Sequence, residues 1–158
     1  MLHGIFWIVV WTFVPALELR ASIPYGLFWE KLSWPMVFVV AVVANFVLGL
    51  VLYPLMDLVV SLMQRIPVVH RVWLLYVERT RRKIHASVEK WGELAVAVFI
   101  GIPLPGTGVY SGALAAYLIG LPFRKFIIAD FLGVLVAGAI VTVVCLTGNQ
   151  LLTRIFVR

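Results

Sequence analysis

Gly101-Ile102-Pro103-Leu104-Pro105-Gly106-Thr107-Gly108-Val109-Tyr110-Ser111-Gly112 is the stretch that decides the fold. Apolar, helix-like sequence flanks it on both sides, Leu94–Ile100 before and Ala113–Ile119 after. Pro103 and Pro105 withhold backbone donors, and Gly106 and Gly108 permit backbone angles that other residues avoid, so a continuous helix breaks here. In a soluble protein this would be an ordinary loop. Within membrane-hydrophobic sequence, broken backbone is tolerated only when buried in protein or lining a wet cavity. Transporters built from interrupted helices bind their substrates at such breaks.

The rest of the chain is membrane-hydrophobic. Of its 158 residues, 63% are hydrophobic and 13% charged, with a mean hydropathy of +1.08. Soluble domains carry about 25% charged residues and are about half apolar. The expectation is one integral membrane domain over residues 1–158, multi-pass in the cell membrane. Met1-Leu2-His3 lacks a basic start and no small-x-small site follows Phe13, so no cleaved signal is expected. The single Cys145 excludes an internal disulfide and reads as a packing residue. The net charge of +6 would suggest nucleic acid in a soluble chain. Its placement points to a cytoplasmic segment instead. Arg65, Arg71, Arg79, Arg81, Arg82, Lys83 and Lys90, seven of the thirteen basic residues, lie between Gln64 and Glu93.

The breaks organise the chain into two similar halves: repeat 1 over about 4–63, a connector at 64–93, repeat 2 over about 94–148, and a tail at 149–158. Gly4–Leu17, stopped by Pro15, would be roughly 21 Å long as a helix, short of a hydrocarbon core of roughly 30 Å. Glu18-Leu19-Arg20-Ala21-Ser22-Ile23-Pro24-Tyr25-Gly26 then reads as a polar turn bracketed by prolines. Leu27-Phe28-Trp29 leads to an interface at Glu30-Lys31, anchored by Trp29 and Trp34. Trp34–Met63 contains no basic residue and is long enough to span, tilted or kinked at Pro54. In the connector, Val69, Val72, Trp73, Tyr76, Ile84, Val88 and Trp91 recur at helical spacing opposite Arg71, Glu78, Arg82, His85 and Glu89, an amphipathic helix at the cytoplasmic interface. Arg79, Arg81, Arg82 and Lys83 are its candidates for anionic lipid headgroups. Repeat 2 sets out again with Leu94–Ile102, the broken turn and Val109–Leu121, after which Pro122 opens a spanning helix through Thr147. Ala44-Asn45-Phe46 matches Ala129-Asp130-Phe131, each followed shortly by Leu-Gly. Such repetition is usual in transporters.

If each broken pair of arms is a re-entrant hairpin, each half crosses the membrane once. The halves then have inverted topology and their hairpin tips meet. Arg124 and Lys125 fall on the cytoplasmic side with the connector, and Glu30, Lys31 and both termini outside. Four full spans are the alternative; they would put Arg124 and Lys125 outside. The fold class expected is an all-α integral membrane protein of inverted repeats, each half a re-entrant hairpin plus one transmembrane helix.

Charges at hydrophobic depth are costly and mark functional candidates. Glu18 and Arg20 come first: in an extended turn they point to one side. Arg20 could then hold a phosphate or carboxylate and Glu18 exchange a proton; a mutual pair pinning the tip is the bland reading. In the turn at Pro103, Pro105, Gly106, Thr107 and Gly108, the amides of Gly106 to Val109 open a helix and attract anions. Thr107, Tyr110 and Ser111 add hydroxyls, although a tight turn for close packing fits equally. Gly101 and Gly106 have the spacing of a nucleotide phosphate loop, but Thr107-Gly108 stands where Lys-Ser/Thr is required. Asp130 reads equally as a proton carrier or partner for Arg20 and as a residue that stabilises its helix start or lies at the interface. Asn45 is its counterpart; Asp57 reads as interfacial. His3, His70 and His85 lack metal spacing, and no catalytic constellation is visible. The chain reads as a non-enzyme without metal or cofactor.

Glu18–Gly26 together with Pro103-Leu104-Pro105-Gly106-Thr107-Gly108 resembles the small multi-drug export family of prokaryotic membrane proteins. The resemblance covers about residues 10–148, and that family looks remotely related to the DedA/VTT superfamily of opposed re-entrant hairpins. DedA proteins often have an acidic residue where this chain has Thr107, and their arginine motifs are matched only loosely by Arg20-x-x-x-Pro24. Their extra terminal helices are also missing. The resemblance implies a transporter or lipid translocase. The resulting expectation is proton-coupled carriage of an anionic amphiphile such as a lipid phosphate, received by Arg20 and the Gly106–Val109 amides. The alternatives are efflux of cationic compounds through Glu18 and a non-transport assembly factor. Membrane lipids and a small-molecule or lipid substrate are the expected partners, with no nucleic acid. A thin wall of four to six segments leaves room for a homodimer.

Overall fold

The computed structural model describes residues 2–15, 17–64, 92–104 and 107–156, with the backbone alone at 59, 63–64 and 149–156. The basic connector and its Arg79, Arg81, Arg82 and Lys83 lie outside the described residues, as do Pro105 and Gly106. Among the described residues there are helices and no strands. They are α1 (Leu2–Phe13), α2 (Glu18–Pro24) running into a π-helical turn (Tyr25–Trp29), α3 (Trp34–Gln64), α4 (Gly92–Gly101), α5 (Val109–Leu118) and α6 (Phe123–Phe156).

Proline starts both long helices. Pro35 sits in the first turn of α3, where a missing N–H costs nothing, and the Ser33 carbonyl accepts from the Met36 and Val37 amides at 3.1 Å. The carbonyl of Pro122 likewise accepts from Lys125 and Phe126 at 2.9 and 3.0 Å. Trp34–Leu62 and Phe123–Gly148 are long and apolar enough to cross a membrane. α3 continues through Pro54, and α6 does not stop near Thr147 but carries the expected tail as helix to Phe156.

One expectation needs correcting. Glu18–Pro24 is not an extended turn but helix. Pro15 confines the reversal to Val14–Leu17, and Glu18 and Ala21 already donate backward, to Val14 and Leu17. Pro24 removes one donor inside α2. The Tyr25 amide is shared between the Ala21 and Ser22 carbonyls, and the backbone relaxes into the wider π pattern, closed by Glu30 N–H to Tyr25 O at 3.2 Å.

α1 and α2 fold back as a hairpin, with Gly26 against Ile8; α4 and α5 do the same, with Gly112 against Ile100. α3 and α6 pack on each other, and α2 and α5 each pack against both of them. Ile100 of α4 also lies against Gly133 of α6. The core is apolar, yet large apolar side chains also cover the outside and several polar ones are buried. α3 turns Val39, Val43, Val47, Val51, Leu55, Leu58 and Leu62 outward, and α6 turns out Ile128, Leu132, Val136, Ile140 and Val143. Thr12, Glu18, Ser22, Asn45, Asp130 and Thr142 are buried. Apolar stripes of this length need a lipid environment.

The two halves also share a rhythm. Gly4, Ile8 and Thr12 are buried in α1, and Gly92, Val96 and Ile100 in α4. Glu18, Leu19, Ser22, Ile23 and Gly26 are matched by Gly108, Val109, Gly112, Ala113 and Ala116, each ninety residues on. The positive-φ residues of the described chain pair almost in the same register: Glu18 (φ 45°) with Gly108 (115°), ninety residues on, and Lys31 (50°) with Gly120 (70°), one residue fewer.

Candidate functional site where the two hairpin turns meet

The first amides of α5 have no partner within their own helix, and the helix dipole leaves that end positive. A carboxylate from the other hairpin supplies what is missing. Val109 N–H donates to Glu18 Oε2 at 3.0 Å and Tyr110 N–H to Oε1 at 3.3 Å. Gly108, immediately before them, is irreplaceable on two counts. Its φ of 115° with ψ of −170° belongs to glycine alone. A Cβ there would also collide with Glu18, 2.8 Å from Oε1 and 2.9 Å from Cδ. Glu18 itself is held left-handed at φ 45°, a conformation disfavoured for any residue with a Cβ, and is only 4% exposed.

Arg20 makes the second connection. Its Nη2 donates to the Thr107 carbonyl at 2.8 Å and to Thr107 Oγ1 at 2.7 Å. The Thr107 hydroxyl also closes its own turn: it accepts from Leu104 N–H at 3.2 Å and lies 2.5 and 2.8 Å from the Ile102 and Leu104 carbonyls. A third tie is Tyr110, whose hydroxyl donates to the Phe13 carbonyl at the end of α1, at 2.6 Å. Because Glu18 and Arg20 are two residues apart on a helix, they diverge. Each reaches the opposite turn separately, and no Glu18–Arg20 ion pair forms among the described residues. Ser111 stays local, bonding Gly108 O at 3.3 Å, and Pro103 is half-buried in the turn.

Asn45 and Asp130 lie away from the turns, at the α3–α6 crossing, where the rings of Phe46 and Phe131 meet edge to face at 5.5 Å. Asp130 is fully buried, and neither carboxyl oxygen has a hydrogen-bond partner; Asn45 Oδ1 and Ser22 Oγ are also unpartnered. The Asp130 and Glu18 carboxyls are close enough for their charges to interact. Asp57 is exposed at the far end of α3, where it accepts from the Tyr117 hydroxyl at 2.6 Å. Tyr53 donates to the Leu121 carbonyl close by. At the other end, Tyr25 donates to Glu30 at 2.9 Å, and His3 lies 3.5 Å from the same carboxylate.

Sequence reasoning singled out Glu18, Arg20, Thr107, Gly108 and Tyr110, and the structure brings these five together. It missed Phe13, whose contribution is a main-chain carbonyl, and Gly49, whose Leu-Gly dipeptide was legible only as part of a repeat.

Residues 18–140 match the family model described as "Putative small multi-drug export protein". No curated protein and no solved structure matches the chain. The matched region begins at Glu18, just after the first turn, and takes in the Pro103–Gly108 turn, both hairpin second arms and the first half of α6. The chain belongs to the small multi-drug export protein family.

Proposed function

We propose that this protein is a transporter whose two hairpins enter the bilayer from opposite faces and touch at mid-depth, and that it carries an anionic amphiphile such as a lipid phosphate together with a proton. The observation that carries the reading is the seat of Glu18 on the α5 amides, with Arg20 beside it on Thr107. Lengths support it. At about 1.5 Å per residue, the twelve residues of α1 and ten of α5 reach roughly half-way through a core of about 30 Å, while α3 and α6 cross it. Charge placement supports the orientation. Arg124 and Lys125 join the basic connector on the cytoplasmic side, and Glu30 and Lys31 lie outside.

The contact suggests a sequence of events. Glu18 occupies the donors that an anion would use. Protonation turns a charge-assisted bond into a weaker neutral one, so a proton on Glu18 frees the Val109 and Tyr110 amides, and Arg20 stands next to them. Anion and proton then enter together. Asp130, buried and within electrostatic reach, is the next carboxyl that the proton can visit. Export of cationic compounds would require a cation to approach Glu18 where both oxygens already face donors.

The test uses vesicles containing the purified protein, a fluorescent phosphatidic acid and an imposed pH gradient. Transport should respond to the gradient, lose that response in Glu18→Gln and fail in Arg20→Ala; unchanged transport in both variants removes the mechanism. Ethidium movement that depends on Glu18 but not on Arg20 would favour the cation reading. Loss of function on neutralising Arg79, Arg81, Arg82 and Lys83, with active Glu18 and Arg20 variants, would favour an assembly role. Orientation is tested separately, in a Cys145→Ala background. Ser33→Cys should react with an impermeant maleimide from outside and Arg124→Cys from the cytoplasm; reaction from one common side would dismantle the opposed hairpins.

A further inference from the structure

The α3–α6 crossing contains a close approach that the hairpin contact does not use. A Cβ built on Gly49 would land on the Asp130 carboxyl, 2.6 Å from Cγ and 2.8 Å from Oδ1, with Oδ2 nearer still. The Asp130 side chain therefore occupies the space that any other residue at position 49 would fill. It gains no hydrogen bond there, since both oxygens are without a partner and the residue is wholly buried. A group of this polarity is not placed against a bare stretch of helix for stability, because an apolar residue of similar size would pack there at no desolvation cost.

We propose that Gly49 is a positioning residue: by leaving its side of α3 bare, it holds the Asp130 carboxyl at the centre of the helix crossing, poised to exchange a proton with Glu18. This rests on the proton role given to Asp130 above. From α2, Glu18 is the group whose charge reaches Asp130, while Arg20 on the same helix is bonded to Thr107. α3 brings no titratable group to this level: Asn45 precedes Gly49 by one turn, and Tyr53 and Asp57 are bonded to Leu121 and Tyr117. α5 contributes Tyr110, bonded to Phe13, and Tyr117; α4 carries only Glu93, in its first turn.

Gly138 supplies the control. It lies on the partner helix of the same crossing, where an added Cβ would meet Val42 at 2.8 Å and Phe38 at 3.2 Å and no carboxyl. A purely structural need for small residues would make Gly49→Ala and Gly138→Ala behave alike.

The experiment is infrared difference spectroscopy of the full chain in lipid vesicles, titrated with acid and needing no substrate. The carboxylic-acid band that Asp130→Asn removes is followed in each variant. Gly49→Ala should move its titration midpoint by about one pH unit or more, a tenfold change in proton affinity, and Gly138→Ala should leave it in place. An unmoved band in Gly49→Ala, or equal shifts in both glycine variants, overturns the assignment of Gly49 alone. Absence of any band lost in Asp130→Asn overturns it together with the proton role of Asp130. Where Gly49→Ala fails to fold, Gly49→Ala/Asp130→Ala is the second variant. The smaller residue at 130 should restore folding, and no restoration refutes the fit between the two positions.

Discussion

Substitution series at Glu18 should separate what its charge, its shape and its backbone contribute. Truncation to Ala leaves the Val109 and Tyr110 amides buried without an acceptor. A hydrogen bond to a charged group contributes about 1.5–3 kcal/mol, and an orphaned buried donor costs about 1–3 kcal/mol. The bond to Tyr110 is long at 3.3 Å, so Glu18→Ala should cost about 3–4 kcal/mol rather than the sum of two full bonds. Gln keeps the reach and one acceptor oxygen while losing the charge that the helix start favours, a loss of about 1–2 kcal/mol. Gly loses the same contacts as Ala but relieves the left-handed backbone at φ 45°, and so should be milder than Ala by about 1 kcal/mol. The order of stability is wild type, Gln, Gly, Ala. Reversible unfolding in mixed detergent micelles, monitored by tryptophan fluorescence, measures it. A cost below about 1 kcal/mol for Ala, the low end for a single orphaned donor, would mean that the carboxylate does not hold the turns together. Equality of Gln and Ala would mean that the acceptor is irrelevant.

Two further outcomes follow from the same contact. Gly108→Ala should be severely destabilising, with about 1–3 kcal/mol of backbone strain plus displacement of Glu18. In a Glu18→Ala background only the strain should remain, so the two should be non-additive in a double-mutant cycle. Thr107→Val removes the Oγ1 acceptor of Arg20 but leaves the carbonyl, at a cost of about 1 kcal/mol. Arg20→Ala removes both bonds and should cost about 2–3 kcal/mol, and Thr107→Val should then add less than it does alone, as unfolding of the double variant would show.

What could be read in the sequence was set by chain-local physics. Pro35 and Pro122 announce the long helices, because a proline in a first turn loses nothing. Pro15 and the Pro103–Gly108 run announce breaks, because lost donors and glycine freedom act within a few residues. The start of α2 was hidden by the same rules. Glu18, Arg20 and Ser22 read as a polar, extended turn because three polar residues lie near prolines, yet the partners of Glu18 and Arg20 stand across the molecule at Thr107, Val109 and Tyr110. Pro24 suggested an end, but the π pattern absorbs the missing donor. Gly49 left no local signal, since the space it provides is measured against a side chain on another helix. Asn45 and Asp130 matched by residue identity, while the burial rhythm sets Asp130 beside Ala41, one helical turn away. Ala41, Ala44, Asn45, Leu48 and Gly49 are buried in α3 as Asp130, Gly133, Val134, Ala137 and Gly138 are in α6.

That register makes one contact exceptional. Glu18 and Gly108 hold equivalent positions in the two halves, both with positive φ, and they touch. Room exists for one side chain only: Glu18 fills the space that a Cβ at 108 would need. Only one of the two positions can therefore carry the acid. Gly108→Glu alone should fail to fold, since it adds a clash and a second buried charge beside the first. Glu18→Gly/Gly108→Glu should recover part of the loss by removing the clash and one of the two charges. It should not recover the amide bonds, because Glu18, Arg20 and Ala21 at the start of α2 already donate to Val14 and Leu17. Residual strain at position 108, about 1–3 kcal/mol for a residue with a Cβ there, would keep it below wild type. Unfolding midpoints of the three variants give the answer. A double variant no more stable than Gly108→Glu would show that Glu18 and a side chain at position 108 do not compete for one space.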